Sequence, residues 1–255
     1  MDKANSKKKT RLDQILVNKG LVESRQKAKA MIMAGEVMVN GVKQDKPGHT
    51  FYESSEITLK TASIPYVSRG GLKLEAAIDH FKIDVNDRVM LDIGASTGGF
   101  TDCLLQNGAK KVITVDVGYG QLHWKLRQDP RVIIFEKTNA RHLTPEHINE
   151  PAEGAVIDVS FISLKIIIPV ITQLLPGDSF IVALIKPQFE AGKEQVGKGG
   201  VIKDPDLHQS IVSNIREFCI DTGWKVEGYI PSPILGPKGN REFLIYLKGH
   251  THPTP

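Results

Sequence analysis

The chain has 255 residues, 40% of them hydrophobic and 24% charged, which is enough apolar content for a packed core and excludes wholesale disorder. Its formal net charge of +4 suits an anionic partner. The two cysteines, Cys103 and Cys219, lie far apart and fit no metal or redox spacing, so a reduced compartment is expected.

Residues 1–10 are polar and lysine-rich, with no apolar stretch behind them, so no signal peptide is expected. This start reads either as a solvated tail or as a basic arm that touches phosphates. The most apolar segments, 166–171 and 180–185, fall far short of the roughly 18 residues that a membrane span needs and read as buried strand or core helix. A soluble cytoplasmic protein is the expectation.

From Arg11 to about residue 62 the pattern is self-contained. Leu12, Ile15 and Leu16 recur at helical spacing, and Gly20 stops the helix. Ser24 N-caps a second helix at 25–34, which Gly35 ends. Residues 37–39 and Val42 flank Asn40-Gly41, a strong hairpin signal, and residues 57–59 form a further strand. The expected divisions are a small α+β domain with its arm at 1–62, a linker at 63–67 in which Pro65 can act as a hinge, and a larger domain at 68–255.

In the larger part, strands at 89–93, 112–115, 132–135, 154–157, 180–185 and 243–246 alternate with helical segments. Near-continuous apolar strands between helices predict an α/β, Rossmann-like, mostly parallel sheet covered on both faces. Residues 89–100 run from strand into helix (98–107) through Gly94, Ala95, Ser96, Thr97, Gly98, Gly99 and Phe100, where glycines permit a tight turn and close ligand approach. Asp116 lies about 20 residues on, where a carboxylate can take both hydroxyls of an adenosine ribose. Asp92 disfavours a pyrophosphate and suits the amino and sulfonium groups of S-adenosylmethionine. Gly94-Ala95-Ser96-Thr97-Gly98 also matches the nucleophile elbow of serine hydrolases, but the strand before it is the first of its domain, and no Asp-then-His pair follows in the expected context.

Ser68-Arg69-Gly70-Gly71-Leu72-Lys73-Leu74, residues 92–100, Ile157-Asp158-Val159-Ser160-Phe161-Ile162-Ser163-Leu164, Leu184-Ile185-Lys186-Pro187-Gln188-Phe189-Glu190 and Asn240-Arg241-Glu242-Phe243 resemble the TlyA family. These are 2′-O-ribose rRNA methyltransferases related to the FtsJ group and historically labelled haemolysins. The likeness covers nearly the whole chain, with an N-terminal module like the S4 RNA-binding domain. It implies S-adenosylmethionine as cofactor, ribosomal RNA or ribosomal subunits as partner, and cytidine as the nucleoside. It also implies a Lys-Asp-Lys-Glu catalytic set at Lys73, Asp158, Lys186 and Glu242.

The residues themselves agree with that set. Asp158 and Lys186 follow buried strands, at the carboxyl ends where open α/β sheets place ligands. Glu242 leads into a strand, and Lys73 is placed just before the domain's first helix. A ribose hydroxyl is a poor nucleophile while it keeps its proton. A lysine, ordinarily protonated with a pKa of about 10.4, can serve as base where burial and a second cation lower that value. Lys186 is expected to orient or deprotonate the hydroxyl, Lys73 to supply the second positive charge, and the two acids to hold the ammonium groups.

The cofactor residues expected are Asp92, Gly94, Ala95, Ser96, Gly98, Gly99, Phe100, Asp116 and Asn139, the last where related enzymes place an Asp near the adenine. The glycine-rich 196–201 segment is either a lid or a plain surface loop. The histidines form no ligand cluster, so no metal is expected, and no membrane partner. Arg11, Arg25, Lys27 and Lys29 are the RNA-phosphate candidates of the small domain. Two other readings are a non-catalytic RNA-binding or ribosome-assembly protein on a methyltransferase fold, and a haemolysin.

Overall fold

A computed structural model of the chain describes residues 9–59, 64–148, 150–197 and 199–251. The basic arm at 1–8 and the first expected linker position, Ser63, lie outside the described residues. The chain divides into two compact units, Met1–Ile64 and Pro65–Pro255. Residues 65–67, expected as linker, are bonded into the larger unit. Gln106 donates to the Pro65 carbonyl at 2.9 Å, Tyr66 donates to Glu75 at 2.8 Å, and the Val67 N–H donates to Asp102 at 2.8 Å.

The small unit comprises β1 (Lys9–Arg11), α1 (Leu12–Asn18), α2 (Arg25–Met33), β2 (Val37–Val39), β3 (Val42–Gln44), β4 (Thr50–Tyr52) and β5 (Ile57–Leu59). Ser24 Oγ accepts from the Lys27 N–H at 3.2 Å, which caps α2 as its sequence demands. Asn40 and Gly41 both have positive φ, 50° and 77°, the conformation that a two-residue hairpin turn between β2 and β3 requires. β5 pairs antiparallel with β2, and Leu12, Leu16, Val22, Ala28, Ile32, Val37 and Val39 form the core. β1 pairs antiparallel with β4, so Lys9 and Thr10 belong to a strand rather than to the charged start.

The larger unit runs α3 (Gly70–Phe81), β6 (Val89–Ile93), α4 (Gly99–Gln106), β7 (Lys111–Val115), α5 (Trp124–Arg127), β8 (Val132–Phe135), β9 (Gly154–Ile157), α6 (Leu164–Thr172), β10 (Phe180–Ile185), α7 (Pro187–Glu190), α8 (Pro205–Asp221), β11 (Trp224–Pro231) and β12 (Phe243–His250). Lys73 therefore stands inside the first helix, not before it: the Gly70-Gly71 pair begins the helix earlier than glycine's poor propensity suggests. The segment 166–171 is helix, within α6. One sheet has the order β11-β12-β10-β9-β6-β7-β8, and β12 runs antiparallel to both its neighbours.

From β6 the chain moves outward through β7 to β8, then returns to the other side of β6 with β9 and β10. Right-handed crossovers made in opposite directions put helices on opposite faces of the sheet. Accordingly α3 packs with α4, whereas α6 and α7 pack with α8. The reversal lies between β6 and β9, and their carboxyl ends bound the crevice where such sheets bind ligands. Ile93, Ile157 and Ile185 are fully buried at the last positions of β6, β9 and β10. Each burial stabilises by roughly 1.5–3 kcal/mol, so Gly94, Asp158 and Lys186, which follow these strands, start from fixed points.

The N-termini of α3 and α4 approach more closely than side chains allow. A Cβ on Gly99 would lie 2.9 Å from the Gly71 backbone nitrogen and 3.1 Å from Gly70 Cα. Gly99→Ala is expected to lower stability by about 1–3 kcal/mol in denaturant melts, with Gly120→Ala as the control because its Cβ would meet nothing. Gly120 has a φ of +70°, so the control carries a backbone cost of roughly 1 kcal/mol. A loss at Gly99 no larger than that cost would refute the close-contact account.

Candidate active site

The four residues of the Lys-Asp-Lys-Glu set form two ion pairs. Lys73 Nζ donates to Glu242 Oε2 at 2.6 Å, and both side chains are buried. Lys186 Nζ lies 2.5 Å from Asp158 Oδ1 and donates to Ser160 Oγ at 2.9 Å. Lys73, Asp158 and Lys186 line one cavity of about 450 Å³ together with Ser68, Gly94, Ser96 and Phe100. Glu242 stands behind Lys73 and is not among the lining residues, so it acts on the cavity only through that lysine.

Local sequence explains each placement. Asp158 follows β9, and its N–H donates to the Ile93 carbonyl of β6 at 2.9 Å. Gly94, with φ of +84°, follows β6; a Cβ there would lie 2.7 Å from the Asp158 carbonyl oxygen, so only glycine lets the two strand ends meet. Pro187 at the first position of α7 turns the chain directly after Lys186.

A second cavity of about 710 Å³ shares Gly94, Ser96, Asp158 and Ser160 with the first and extends past Asp116 and Asn139. Asp116 is held by backbone donors, the Ser96 N–H at 2.8 Å and the Gly118 N–H at 2.7 Å. Each carboxylate oxygen keeps a second acceptor position. Asn139 Oδ1 accepts from the Arg141 N–H at 3.1 Å, capping a short turn, which leaves its NH₂ as the group to offer a ligand. Gly94, Ala95, Ser96, Gly99, Phe100, Asp116 and Asn139 thus all line the groove. Gly98, with φ of +97°, turns the loop into α4 from behind it.

Asp92 corrects the expectation that it reaches a ligand. It is fully buried behind the loop, Oδ2 accepts from Thr101 Oγ1 at 2.5 Å, and Oδ1 is buried with no hydrogen-bond partner among the described residues. Burial, reinforced by the negative charges of Asp158 and Asp116, pushes its pKa up to about 7. Ser96 lacks the setting of a hydrolase nucleophile: its hydroxyl meets Gln121, and no described histidine lines either cavity.

Three contributors went unread in the sequence. Ser160 steadies Lys186. Glu190, half-buried, accepts from Ser163 Oγ at 2.6 Å and from the Leu164 N–H at 2.8 Å, tying the start of α6 to the end of α7. Phe161 is 89% exposed with φ of +63°, a conformation strained for a bulky residue, and its ring lies 4.8 Å from that of Phe189. All three lie inside motifs that were read for Asp158 and Lys186 alone. Within the glycine-rich stretch, Gly200 accepts from Asn240 at 2.9 Å and Gly199 from Lys238 at 3.0 Å.

In the small unit, Arg11 and Arg25 both pair with Asp13, and Lys27 pairs with Glu23, while Lys29 is exposed. The expected face therefore carries less free charge than its sequence suggests. Among the described residues no helix is long and apolar enough to cross a membrane, and no cluster of side chains could hold a metal ion.

The FtsJ-like methyltransferase profile matches residues 66–249. The chain belongs to the FtsJ-like methyltransferase family. The S4 domain profile matches residues 10–57. YqxC of Bacillus subtilis is 52% identical over 94% of this chain and 86% of its own length. The Mycobacterium tuberculosis protein TlyA, named a 16S/23S rRNA (cytidine-2′-O)-methyltransferase, is 45% identical over 96% of this chain and 91% of its own. A solved Streptococcus thermophilus structure carrying the hemolysin name is 46% identical, covers 98% of this chain and 91% of that one, and superposes with a TM-score of 0.77. The FtsJ-like unit holds both cavities and all four paired residues.

The raised pKa of Asp92 has a signed consequence. Between about 4 and 7 the folded protein holds a proton that the unfolded chain releases, so stability falls as pH rises through this window. At about 1.36 kcal/mol per pKa unit, the loss is about 4 kcal/mol. Asp92→Asn removes it, so melts of variant and parent are expected to diverge from pH 4 to 7 in the variant's favour and to run parallel above about 8. Curves parallel throughout would show that the buried carboxyl is solvated after all.

Proposed function

We propose that this chain methylates the ribose 2′-hydroxyl of a cytidine in ribosomal RNA, using S-adenosylmethionine. The observation that carries the reading is the convergence of Lys73, Asp158 and Lys186 on the wall of a groove that continues to Asp116. The activity for which the Mycobacterium relative is named supports the same reaction and nucleoside.

The groove fits the cofactor. Asp116 is braced by two N–H donors in position to accept from ribose hydroxyls, Asn139 offers its NH₂ towards an adenine, and Gly94 and Ser96 line the wall along which the amino acid portion would lie. When bound there, S-adenosylmethionine supplies an electrophilic methyl group on a sulfonium. Lys186, braced by Asp158 and Ser160, orients the 2′-hydroxyl and, in its neutral amine form, receives the hydroxyl proton at Nζ as the methyl group leaves the sulfonium for the oxygen. Lys73, held by Glu242, adds positive charge on the side where the oxygen becomes more negative. Holding the hydroxyl in line with the methyl is worth several kcal/mol by itself. The exposed Phe161 ring beside Lys186 offers a face to an unstacked base.

Lys186→Ala, assayed with radiolabelled cofactor and rRNA, is expected to cut transfer by at least about a hundredfold while leaving cofactor affinity within a few-fold. Mapping ribose methylation on rRNA from cells with and without the gene identifies the nucleotide. Near-parental transfer by the variant defeats the assignment of Lys186. Cofactor and RNA binding by the parent without any transfer to ribosomal subunits would instead favour an assembly factor on this fold.

A further inference from the structure

We propose that Asp13 is the positioning residue of a two-arginine clamp, Arg11 and Arg25, for the phosphodiester backbone of RNA. This rests on the RNA-binding reading of the small unit and adds a residue to it. Asp13 lies in the first turn of α1 and is fully buried, while the side chains of Arg11 and Arg25 are 45% and 50% exposed. Arg11 grips the carboxylate with two parallel bonds, Nε to Oδ1 at 3.0 Å and Nη2 to Oδ2 at 3.1 Å. Arg25 Nη2 donates to the same Oδ2 at 3.1 Å. One carboxylate thereby fixes guanidinium groups from the end of β1 and the start of α2. Each fork keeps N–H groups that Asp13 does not use, and such forks match phosphate oxygens in pairs.

Burial stability alone does not account for the arrangement. One arginine neutralises a buried carboxylate, and an apolar residue of similar volume generally does no worse. The second arginine leaves the cluster with a net positive charge on two side chains whose rotamers are already fixed. Fixing them in advance lowers the ordering cost at the moment of binding. The Arg11 fork foremost holds the Asp13 carboxyl below its usual range, so the anchor stays ionised at neutral pH.

The test exploits a conflict of signs. Asp13→Asn removes a negative charge, so on charge alone the full-length variant should bind RNA more tightly. If Asp13 positions the forks, affinity for transcribed 16S or 23S rRNA in filter binding falls roughly tenfold at about 0.1 M salt, and the slope of log K against log salt flattens by about one to two. In methyl-transfer assays KM for RNA rises and kcat is unchanged. Equal or tighter binding overturns the clamp. Where circular dichroism shows that Asp13→Asn unfolds the small unit, Arg25→Lys decides, since it keeps the charge and loses the fork. A several-fold loss is expected, and unchanged affinity overturns the proposal. A parent protein that binds neither rRNA refutes the RNA reading itself, whereas a binding parent with an unaffected variant refutes only Asp13.

Discussion

A lysine taken out of water must meet a carboxylate, and this constraint shapes the larger unit more than any other. An unpaired buried charge costs several kcal/mol, comparable with the whole stability of a domain. The two lysines of the groove meet their acids in ways that weld distant chain segments. Lys73 on α3 reaches Glu242 at the start of β12, a separation of 169 residues. Lys186 after β10 meets Asp158 after β9. The first pair fastens the opening helix of the unit to its last strand, and the second fastens neighbouring strand ends. Whatever places the last strand correctly also places Lys73, so the site is completed by the same contacts that complete the fold.

The parts of this arrangement that were readable in the sequence are those governed by local rules. Apolar runs end at Ile157 and Ile185, so Asp158 and Lys186, which follow them, were recognisable as crevice residues without any structure. The caps and turns at Ser24 and Asn40-Gly41 obey equally local chemistry. The pairing of Lys73 with Glu242 was not readable from the residues alone, because nothing near either residue records the other; it came through family resemblance. β11 escaped notice because Gly228 and Pro231 interrupt it and register shifts bend it against β12. β1, Lys-Thr-Arg, holds no apolar residue that could mark a strand. Asp92 read as a ligand contact because its place in the loop is visible in sequence, whereas its burial behind the loop depends on α4, which supplies Thr101. The basic face of α2 was overcounted for a similar reason, since Asp13 and Glu23 neutralise charges that a residue count treats as free.

Electrostatics divides the groove. Asp116 lines the second cavity at the end of β7, and Lys73 and Lys186 line the first, with Asp158 on the wall that the two share. On the proposed function, a cationic cofactor lies at the Asp116 end and a polyanion at the lysine end. Asp158 belongs to both, since its carboxylate answers Lys186 while its carbonyl oxygen sits against Gly94. The acid that holds the lysine is thus mounted on the backbone that shapes the cofactor loop, so a shift in that loop would move Lys186 as well.

The run from Lys186 to Glu190 shows how few residues are needed to build such a wall. Lys186 faces the cavity, Pro187 turns the chain, Phe189 supports the exposed ring of Phe161, and Glu190 binds Ser163 and Leu164. The strained φ of Phe161 carries a cost of about 1–3 kcal/mol and persists because both sides of it are held. Asp158 and Ser160 are tied to Lys186 before it, and Ser163 and Leu164 are tied to Glu190 after it. The β9–α6 connection is therefore clamped at two points by one short segment, and the residue left between the clamps is the one that presents an aromatic face to solvent. A flexible loop could expose the same ring, but the ordering entropy would then fall due on binding rather than on folding.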